Sequence, residues 1–213
     1  MQKISIKQEQ KLFSYLNLNI LDSNNSSKDE IFIQLLANKS KKCTNSQYDF
    51  KIYLSSSKEV NAFALPAGFI VINQAIIDNA KSENELFFVI AHEIGHFNNR
   101  DHLEGIGRSF VSILISSFIG ISDLNELLSS SISFSESQFS QHQESEADLY
   151  AVDLMECYYG HTNGATDFFH HISDVNNSLT LFSSHPQRVE RIQDINNYIK
   201  TKSYHSNGKK TSF

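Results

Sequence analysis

Residues 91–96 read AHEIGH and carry the pattern His-Glu-x-x-His. Apolar residues before this motif recur at helical spacing, which predicts a helix from about Glu83 to about Asn98. Four residues make slightly more than one helical turn, so His92 and His96 share a face and can hold one metal ion, most often zinc. Glu93 lies about 100° further round the helix, where a carboxylate can act as general base on water activated by the metal.

The motif alone leaves open a helix that carries two histidines and a glutamate by chance, because the chain has nine histidines. A catalytic zinc needs a third protein ligand and a fourth position for water. A second predicted helix, 139–159, places Glu144 and Asp148 four residues apart on its apolar face. Buried carboxylates are costly unless a cation meets them. We therefore expect Glu144 to bind the zinc and Asp148 to accept the free ring N–H of a ligand histidine.

Two residues near the C-terminus extend this site. His185 stands directly before Pro186 and a predicted helix over 187–200. It can donate a hydrogen bond to the oxyanion of a tetrahedral intermediate, fill the fourth zinc position in a closed form, or cap the helix. Arg191 can orient the substrate or pair with Asp148. The remaining histidines lack a partner at matching spacing and are expected to be surface or structural: His102, His142, His161, His170, His171 and His205.

Length and composition predict one domain over 1–200, with its core in 48–198 and a polar flexible tail over 201–213. The net charge of −6 and the absence of a basic cluster argue against nucleic acid as a partner. The apolar run 110–121 belongs to a predicted helix, 103–121, and is shorter than the roughly 20 residues that span a bilayer. We expect a buried helix or a lid there, with a shallow membrane contact as the alternative. A Ser-rich loop is predicted over 129–137.

The sequence leaves the compartment open. No apolar run near the N-terminus is long enough for a signal peptide. The protein is therefore expected to be cytoplasmic if the sequence is complete, and periplasmic or otherwise exported if a signal has been removed. Two cysteines, Cys43 and Cys157, can pair or stay free.

The remaining elements complete an α+β fold that is mostly helical. Helices are predicted over 8–20, 29–42 and 163–172, and strands over 48–54 and within 61–73. Pro66 and Gly68 divide the second strand segment and place it at a sheet edge or in a turn. An edge strand beside the metal helix can pair with an extended peptide, although an ordinary hairpin is the alternative.

Four segments together resemble the HtpX-like and CAAX-prenyl-endopeptidase zinc metallopeptidases, family forty-eight of the metallopeptidases, and most closely their soluble BepA-like branch. The segments are NAFALPAG at 61–68, HEIGH at 92–96, ESEAD at 144–148, and His185-Pro186 with Arg191. The resemblance implies a zincin-type domain with Glu144 as the zinc ligand. It also implies that the substrate docks as an added strand on Asn61, Ala62 and Phe63. Ala67 departs from the family, which usually has Gly there.

The sequence therefore predicts a zinc metalloendopeptidase with one zinc per chain, held by His92, His96 and Glu144. Glu93 is its expected base and His185 a further catalytic residue. By resemblance, its substrates are misfolded or misassembled polypeptides in protein quality control. The alternative is a chaperone-like module that keeps the fold and holds clients without cleaving them. A structural zinc site is disfavoured, because such sites usually recruit Cys and close all four positions.

Overall fold

The computed structural model describes residues 5–14, 27–103, 139–172, 185 and 189–212. Within these ranges lie seven α-helices and three β-strands. The helices are α1 (Ile6–Ser14), α2 (Lys28–Lys41), α3 (Gln74–Asn79), α4 (Glu83–Asn99), α5 (Gln141–Tyr159), α6 (Asp167–Ile172) and α7 (Val189–Lys202). The strands are β1 (Lys51–Ser55), β2 (Ala62–Leu65) and β3 (Phe69–Asn73). This arrangement confirms the predicted α+β class with a small sheet.

The three strands form one mixed sheet in the order β1-β3-β2. The central strand β3 has the apolar sequence FIVIN and pairs in parallel with β1 and antiparallel with β2. The register places Ala62 opposite Ile72 and Leu65 opposite Phe69. Strands β2 and β3 therefore form a hairpin, and β2 has only one strand neighbour among the described residues, so both features that the sequence suggests are present.

The turn between β2 and β3 is tight. Pro66 opens a short 3-10 helix over Pro66–Gly68, and Ala67 adopts left-handed backbone angles with a φ of 68°. Gly68 has a φ of 94°, and a Cβ added there would lie 2.8 Å from the carbonyl oxygen of Asp49. The turn thus needs glycine at Gly68 both for its backbone angles and for space.

Helix α4 forms the centre of the core. Its apolar side chains are buried on several faces, including Leu86, Phe87, Ile90 and Ile94. Helix α5 packs on α4 at Gly95, where an added Cβ would lie 2.9 Å from the Cα of Ala147. The missing side chain lets the two helices approach closely. This contact brings the acidic face of α5 to the two histidines of α4.

Local sequence signals explain where these two helices begin and end. The Ser82 hydroxyl accepts the N–H of Glu85 at the start of α4, and Arg100 ends the helix in a left-handed conformation. Ser140 and Gln143 form a reciprocal capping box at the start of α5, and Gly160 ends that helix with a φ of 69°. The predicted end of α5 at Gly160 is therefore correct.

Several predicted bounds differ from the structure. The first strand begins at Lys51 rather than 48, and α6 begins at Asp167 rather than 163. Helix α3 has no predicted counterpart. Residues 15–20 of the first predicted helix, the predicted helix beyond residue 103, the Ser-rich loop 129–137 and residues 186–188 lie outside the described residues. Among the residues that are described, no helix is both long and apolar enough to cross a bilayer.

The residues after 200, for which the sequence predicts a polar flexible tail, lie against the domain. Helix α7 continues to Lys202, and the following residues pack on the start of α4 and the turn after α5. The N–H of Glu83 donates to the carbonyl of Thr211 (2.9 Å), and the N–H of Thr162 donates to that of His205 (2.7 Å). The N–H of Thr211 donates to the Asn84 side chain (2.9 Å). These hydrogen bonds hold the tail against the domain.

Candidate metal centre

His92 and His96 form the first half of the site. Both belong to α4, both are buried, and their Nε2 atoms lie 3.1 Å apart. The ring centroids are 4.7 Å apart and the rings are nearly perpendicular. The helical spacing therefore brings two imidazole nitrogens to one point, as the sequence predicts.

Glu144 and His185 complete a cluster of four donors. Glu144 reaches from α5, with Oε1 3.4 Å from Nε2 of His96 and Oε2 3.6 Å from Nε2 of His92. Nδ1 of His185 lies 2.9 Å from Glu144 Oε1. One donor atom from each of the four buried residues lies within 4.8 Å of the others. The described residues thus place His185 beside the three predicted ligands.

The chemistry of this cluster fits a metal ion. Three imidazoles and one carboxylate converge in a buried space, and N and O donors of this kind suit zinc and related divalent ions. Nε2 of His185 is buried and has no hydrogen-bond partner among the described residues. A cation would meet this converging lone-pair density, which the protein otherwise leaves only partly compensated.

A buried ion pair between Asp148 and Arg191 fixes the orientation of the His92 ring. Its Nδ1 lies 2.9 Å from Oδ1 of Asp148, and because an ionised carboxylate only accepts, the imidazole donates here and keeps Nε2 free for a metal. Arg191 donates from Nε and Nη2 to the two Asp148 oxygens, both at 2.7 Å. Burial opposes ionisation of Asp148, but Arg191 outweighs it and lowers the pKa of Asp148. The Asp148 carboxylate therefore stays charged.

Asp101 plays the same part for His96. Nδ1 of His96 lies 2.9 Å from Asp101 Oδ2, while Gln143 donates to the other oxygen (3.1 Å). Burial would lower the pKa of His96, but hydrogen bonds to Asp101 and Glu144 outweigh it and raise this pKa to about 9. For His92 burial dominates, and its pKa is lowered. Burial likewise opposes the charge of Glu144, yet His185 and the other histidines hold its pKa well below the usual range.

Glu93 is buried next to the cluster without belonging to it. Its Oε1 lies 3.5 Å from Nε2 of His185, and its Oε2 has no hydrogen-bond partner in the described part of the chain. A buried carboxylate oxygen with free lone pairs can accept a proton from water held at the cluster. The general-base role that the motif predicts for Glu93 stays a prediction, and this position is one from which Glu93 could perform it.

The model of peptidase family M48 matches residues 26–199. The chain belongs to peptidase family M48. Metalloprotease LoiP of Escherichia coli is 30% identical over 156 residues, which cover 69% of this chain and 61% of that protein. The beta-barrel assembly-enhancing protease of Yersinia pestis is 26% identical over 167 residues, which cover 70% of this chain and 34% of that protein.

A third relative is the mitochondrial metalloendopeptidase OMA1 of Arabidopsis thaliana. It is 35% identical over 100 residues, which cover 45% of this chain and 20% of that protein. The matched segments thus span less than two thirds of the length of each of these three relatives. The family membership bears out the resemblance that the four sequence segments indicate.

The residues expected to bind substrate separate into two groups in this M48 chain. Asn61, Ala62 and Phe63 lie at or beside the start of edge strand β2, where Asn61 and Ala62 are buried and Phe63 is half-buried. Any pairing with an extended peptide would therefore use the β2 backbone. Arg191 is buried and pairs with Asp148 and Glu144, so the predicted pairing with Asp148 is observed. Its other predicted role, orienting the substrate, stays a prediction.

Two neighbours of the M48 site have no sequence-based prediction. Asp101 follows the end of α4, and it reaches back to His96 because Arg100 turns the chain in a left-handed conformation with a φ of 64°. Phe139 stacks on the His96 ring with centroids 3.9 Å apart. A carboxylate five residues after the second motif histidine is a usable signal for such a contact. An isolated aromatic residue such as Phe139 gives no such signal.

Proposed function

We propose that this chain is a zinc metalloendopeptidase that hydrolyses peptide bonds in polypeptide substrates. The observation that carries the proposal is the buried cluster of His92, His96, Glu144 and His185 with the free oxygen of Glu93 beside it. When bound, zinc supplies Lewis-acid chemistry, polarising a peptide carbonyl and making water more acidic. The proposed stoichiometry is one zinc per chain, with His92, His96 and Glu144 as the lasting ligands.

The protein's own residues provide proton transfer and orientation. Glu93 takes a proton from the attacking water and delivers it to the leaving nitrogen. Asp148 and Asp101 fix the tautomers of His92 and His96, so that each presents a lone pair toward the ion. Burial of the cluster excludes bulk water and strengthens these interactions.

The proposed substrate is an extended segment of a polypeptide. Edge strand β2 packs beside α4, and the side of β2 that has no strand neighbour among the described residues can add one strand of substrate. Two relatives carry names that include protease and beta-barrel assembly, which supports misassembled or misfolded proteins as the substrate class. The role in quality control rests on those relatives.

We further propose that the protein works in an oxidising compartment. Cys43 and Cys157 form a disulfide between the segment after α2 and the last turns of α5. Disulfides persist in the periplasm and outside the cell and are rare in the cytosol. The disulfide supports the exported alternative over the cytoplasmic one.

Digestion of casein by the purified chain tests the function. Cleavage should stop with a chelator and return with zinc, and elemental analysis should find one zinc per chain. Glu93→Gln should retain zinc but lose nearly all cleavage, whereas Glu144→Ala should lose most of its zinc.

The proposal would be contradicted by a chain that suppresses aggregation of casein but cleaves none of it with zinc present. That outcome would favour the chaperone-like alternative, which the four intact site residues disfavour. Substantial turnover by Glu93→Gln would instead mean that another group activates the water.

A further inference from the structure

Helix α1 carries a buried glutamate that the proposed mechanism does not use. Glu9 is fully buried, and its carboxylate accepts four hydrogen bonds. Oε1 accepts from the N–H of Ala67 (2.6 Å) and from Nε2 of His102 (3.0 Å). Oε2 accepts from the Tyr48 hydroxyl (2.7 Å) and from Nη2 of Arg100 (3.2 Å). Each oxygen of the Glu9 carboxylate thus accepts two hydrogen bonds.

The charges in this cluster are matched. A buried carboxylate is costly without a positive partner, and Arg100 provides one. Because an ionised carboxylate only accepts, Nε2 of His102 carries the hydrogen that faces Glu9, while Nδ1 is buried without a hydrogen-bond partner among the described residues. The Phe97 ring packs against His102, with ring centroids 4.5 Å apart, and against Tyr48, with centroids 5.1 Å apart. Two of the donors to the carboxylate thus belong to one aromatic cluster.

Two of the four donors flank a residue of the metal centre. Arg100 and His102 stand on either side of Asp101, and Asp101 accepts the Nδ1–H of His96. Arg100 is in the left-handed conformation that turns the chain back toward α4. By holding both neighbours, Glu9 fixes the turn from which Asp101 reaches the imidazole.

A third donor belongs to the turn after the edge strand. Ala67 has a φ of 68°, which is unfavourable for a residue with a Cβ. Its N–H donates to Glu9, so the hydrogen bond offsets part of this strain. The one carboxylate therefore joins the end of β2 to the end of α4.

Helix α1 lies outside the residues 26–199 that match the family. We infer that Glu9 is a positioning residue for the metal centre, acting on His96 through the turn that presents Asp101. The N-terminal helix is then a working part of the catalytic domain. This inference rests on the proposed metal centre, and its test has to separate the two.

Zinc affinity of the full chain, measured by competition with a chelator of known affinity, provides that test. Glu9→Gln keeps the shape of the side chain but turns an NH₂ group toward two of the four donors. We expect zinc affinity to fall about 3- to 10-fold, less than the roughly 10- to 100-fold expected for Asp101→Asn, because Glu9 acts one contact further away. Glu59→Gln alters an exposed glutamate and should change the affinity less than about 2-fold.

A double-mutant cycle separates positioning from general destabilisation. If Glu9 acts through Asp101, Glu9→Gln should change zinc affinity by less than about 2-fold in the Asp101→Asn background. Fully additive losses would overturn the inference, as would unchanged affinity in a folded Glu9→Gln variant. Failure of the unmodified chain to bind zinc would overturn the proposed function as well.

If Glu9→Gln loses its helical circular dichroism, a second variant tests the inference in its place. His102→Phe keeps a ring against Phe97 and removes a single hydrogen bond to Glu9. We expect it to weaken zinc binding about 3-fold, by the same route through the turn. Unchanged zinc affinity in His102→Phe would overturn the inference.

Discussion

Asp148 and Asp101 accept hydrogen bonds from the Nδ1–H groups of His92 and His96, but the two carboxylates are held in place differently. Asp148 is paired with Arg191 through two hydrogen bonds of 2.7 Å inside the core. Asp101 is held by the neutral amide of Gln143. Loss of the Asp148 charge would therefore disturb both the His92 tautomer and a buried guanidinium.

We expect Asp148→Asn to weaken zinc binding by about 10- to 100-fold, because an amide can present its NH₂ group to either His92 or Arg191. Competition with a chelator measures the effect. Glu146→Gln is the matched control, since Glu146 lies on the same helix but is exposed. A zinc dissociation constant that does not change in Asp148→Asn would show that the contact with His92 has no role in binding.

His185 occupies the place of a fourth donor in the structure, and a catalytic metal site needs one open position. We therefore expect this residue to close the site, and expect His185→Ala to raise kcat/KM on a short peptide. The rise should be about 3- to 10-fold if the open form makes up about 10–30% of the protein.

The two other roles of His185 predict different kinetics for the same variant. A fall in kcat of about 10²- to 10³-fold would assign His185 to the oxyanion. An unchanged rate would leave it as a helix cap. Steady-state kinetics on one peptide distinguishes all three outcomes.

The sequence predicts those site residues whose placement follows from helical spacing. His92, His96 and Glu144 converge as predicted because four-residue spacing and an apolar face are local geometry. Helical spacing alone does not place Asp101, because its approach to His96 depends on the left-handed turn at Arg100. The pairing of Arg191 with Asp148 depends on how α7 packs against α5, which no local pattern encodes.

At the scale of elements, the contact between α4 and α5 sets the position of Glu144. The Cβ of an alanine at Gly95 would lie 2.9 Å from the Cα and 3.1 Å from the carbonyl oxygen of Ala147. Backbone atoms cannot move aside as a flexible side chain can. Glu144 lies one turn before Ala147, so any separation of the helices moves it away from the histidines.

We expect Gly95→Ala to destabilise the protein by about 1–3 kcal/mol and to weaken zinc binding, although alanine favours helix more than glycine does by about 1 kcal/mol. Urea unfolding and zinc competition measure the two effects. Gly160→Ala, at a φ of 69° beyond the end of α5, should also destabilise but leave zinc affinity unchanged. Higher stability in Gly95→Ala would show that the helices can separate without strain.

Elements with strong end signals could be predicted, and those without could not. Gly160 marks the end of α5 in the sequence as well as in the structure, whereas the helix begins at Gln141, after the Ser140 cap, rather than at the predicted 139. Helix α3 has six residues and follows β3 directly, too short for a periodic pattern to emerge. The docking of the tail includes hydrogen bonds between backbone groups, such as the one from Glu83 to Thr211, and these carry no side-chain signature.

Across the whole molecule, one covalent link joins parts of the chain that the sequence leaves unconnected. Cys43 and Cys157 are 114 residues apart, and the disulfide between them ties the end of α2 to the end of α5. Two cysteines at this distance do not indicate by themselves whether they pair. Glu144 lies about 20 Å along α5 from Cys157, given the rise of a helix, so the link stabilises the scaffold without entering the metal centre.

Closing a loop of this length lowers the entropy of the unfolded chain, and we expect its loss to cost about 2–5 kcal/mol. For a chain of this size that corresponds to a fall in Tm of roughly 5–20 °C. Thermal unfolding with and without reductant should show this fall in the unmodified protein. The Cys43→Ser, Cys157→Ser double variant should start from the lower Tm and not respond to reductant, while its zinc affinity at low temperature stays unchanged. Equal melting temperatures in all four samples would show that the disulfide contributes nothing to stability.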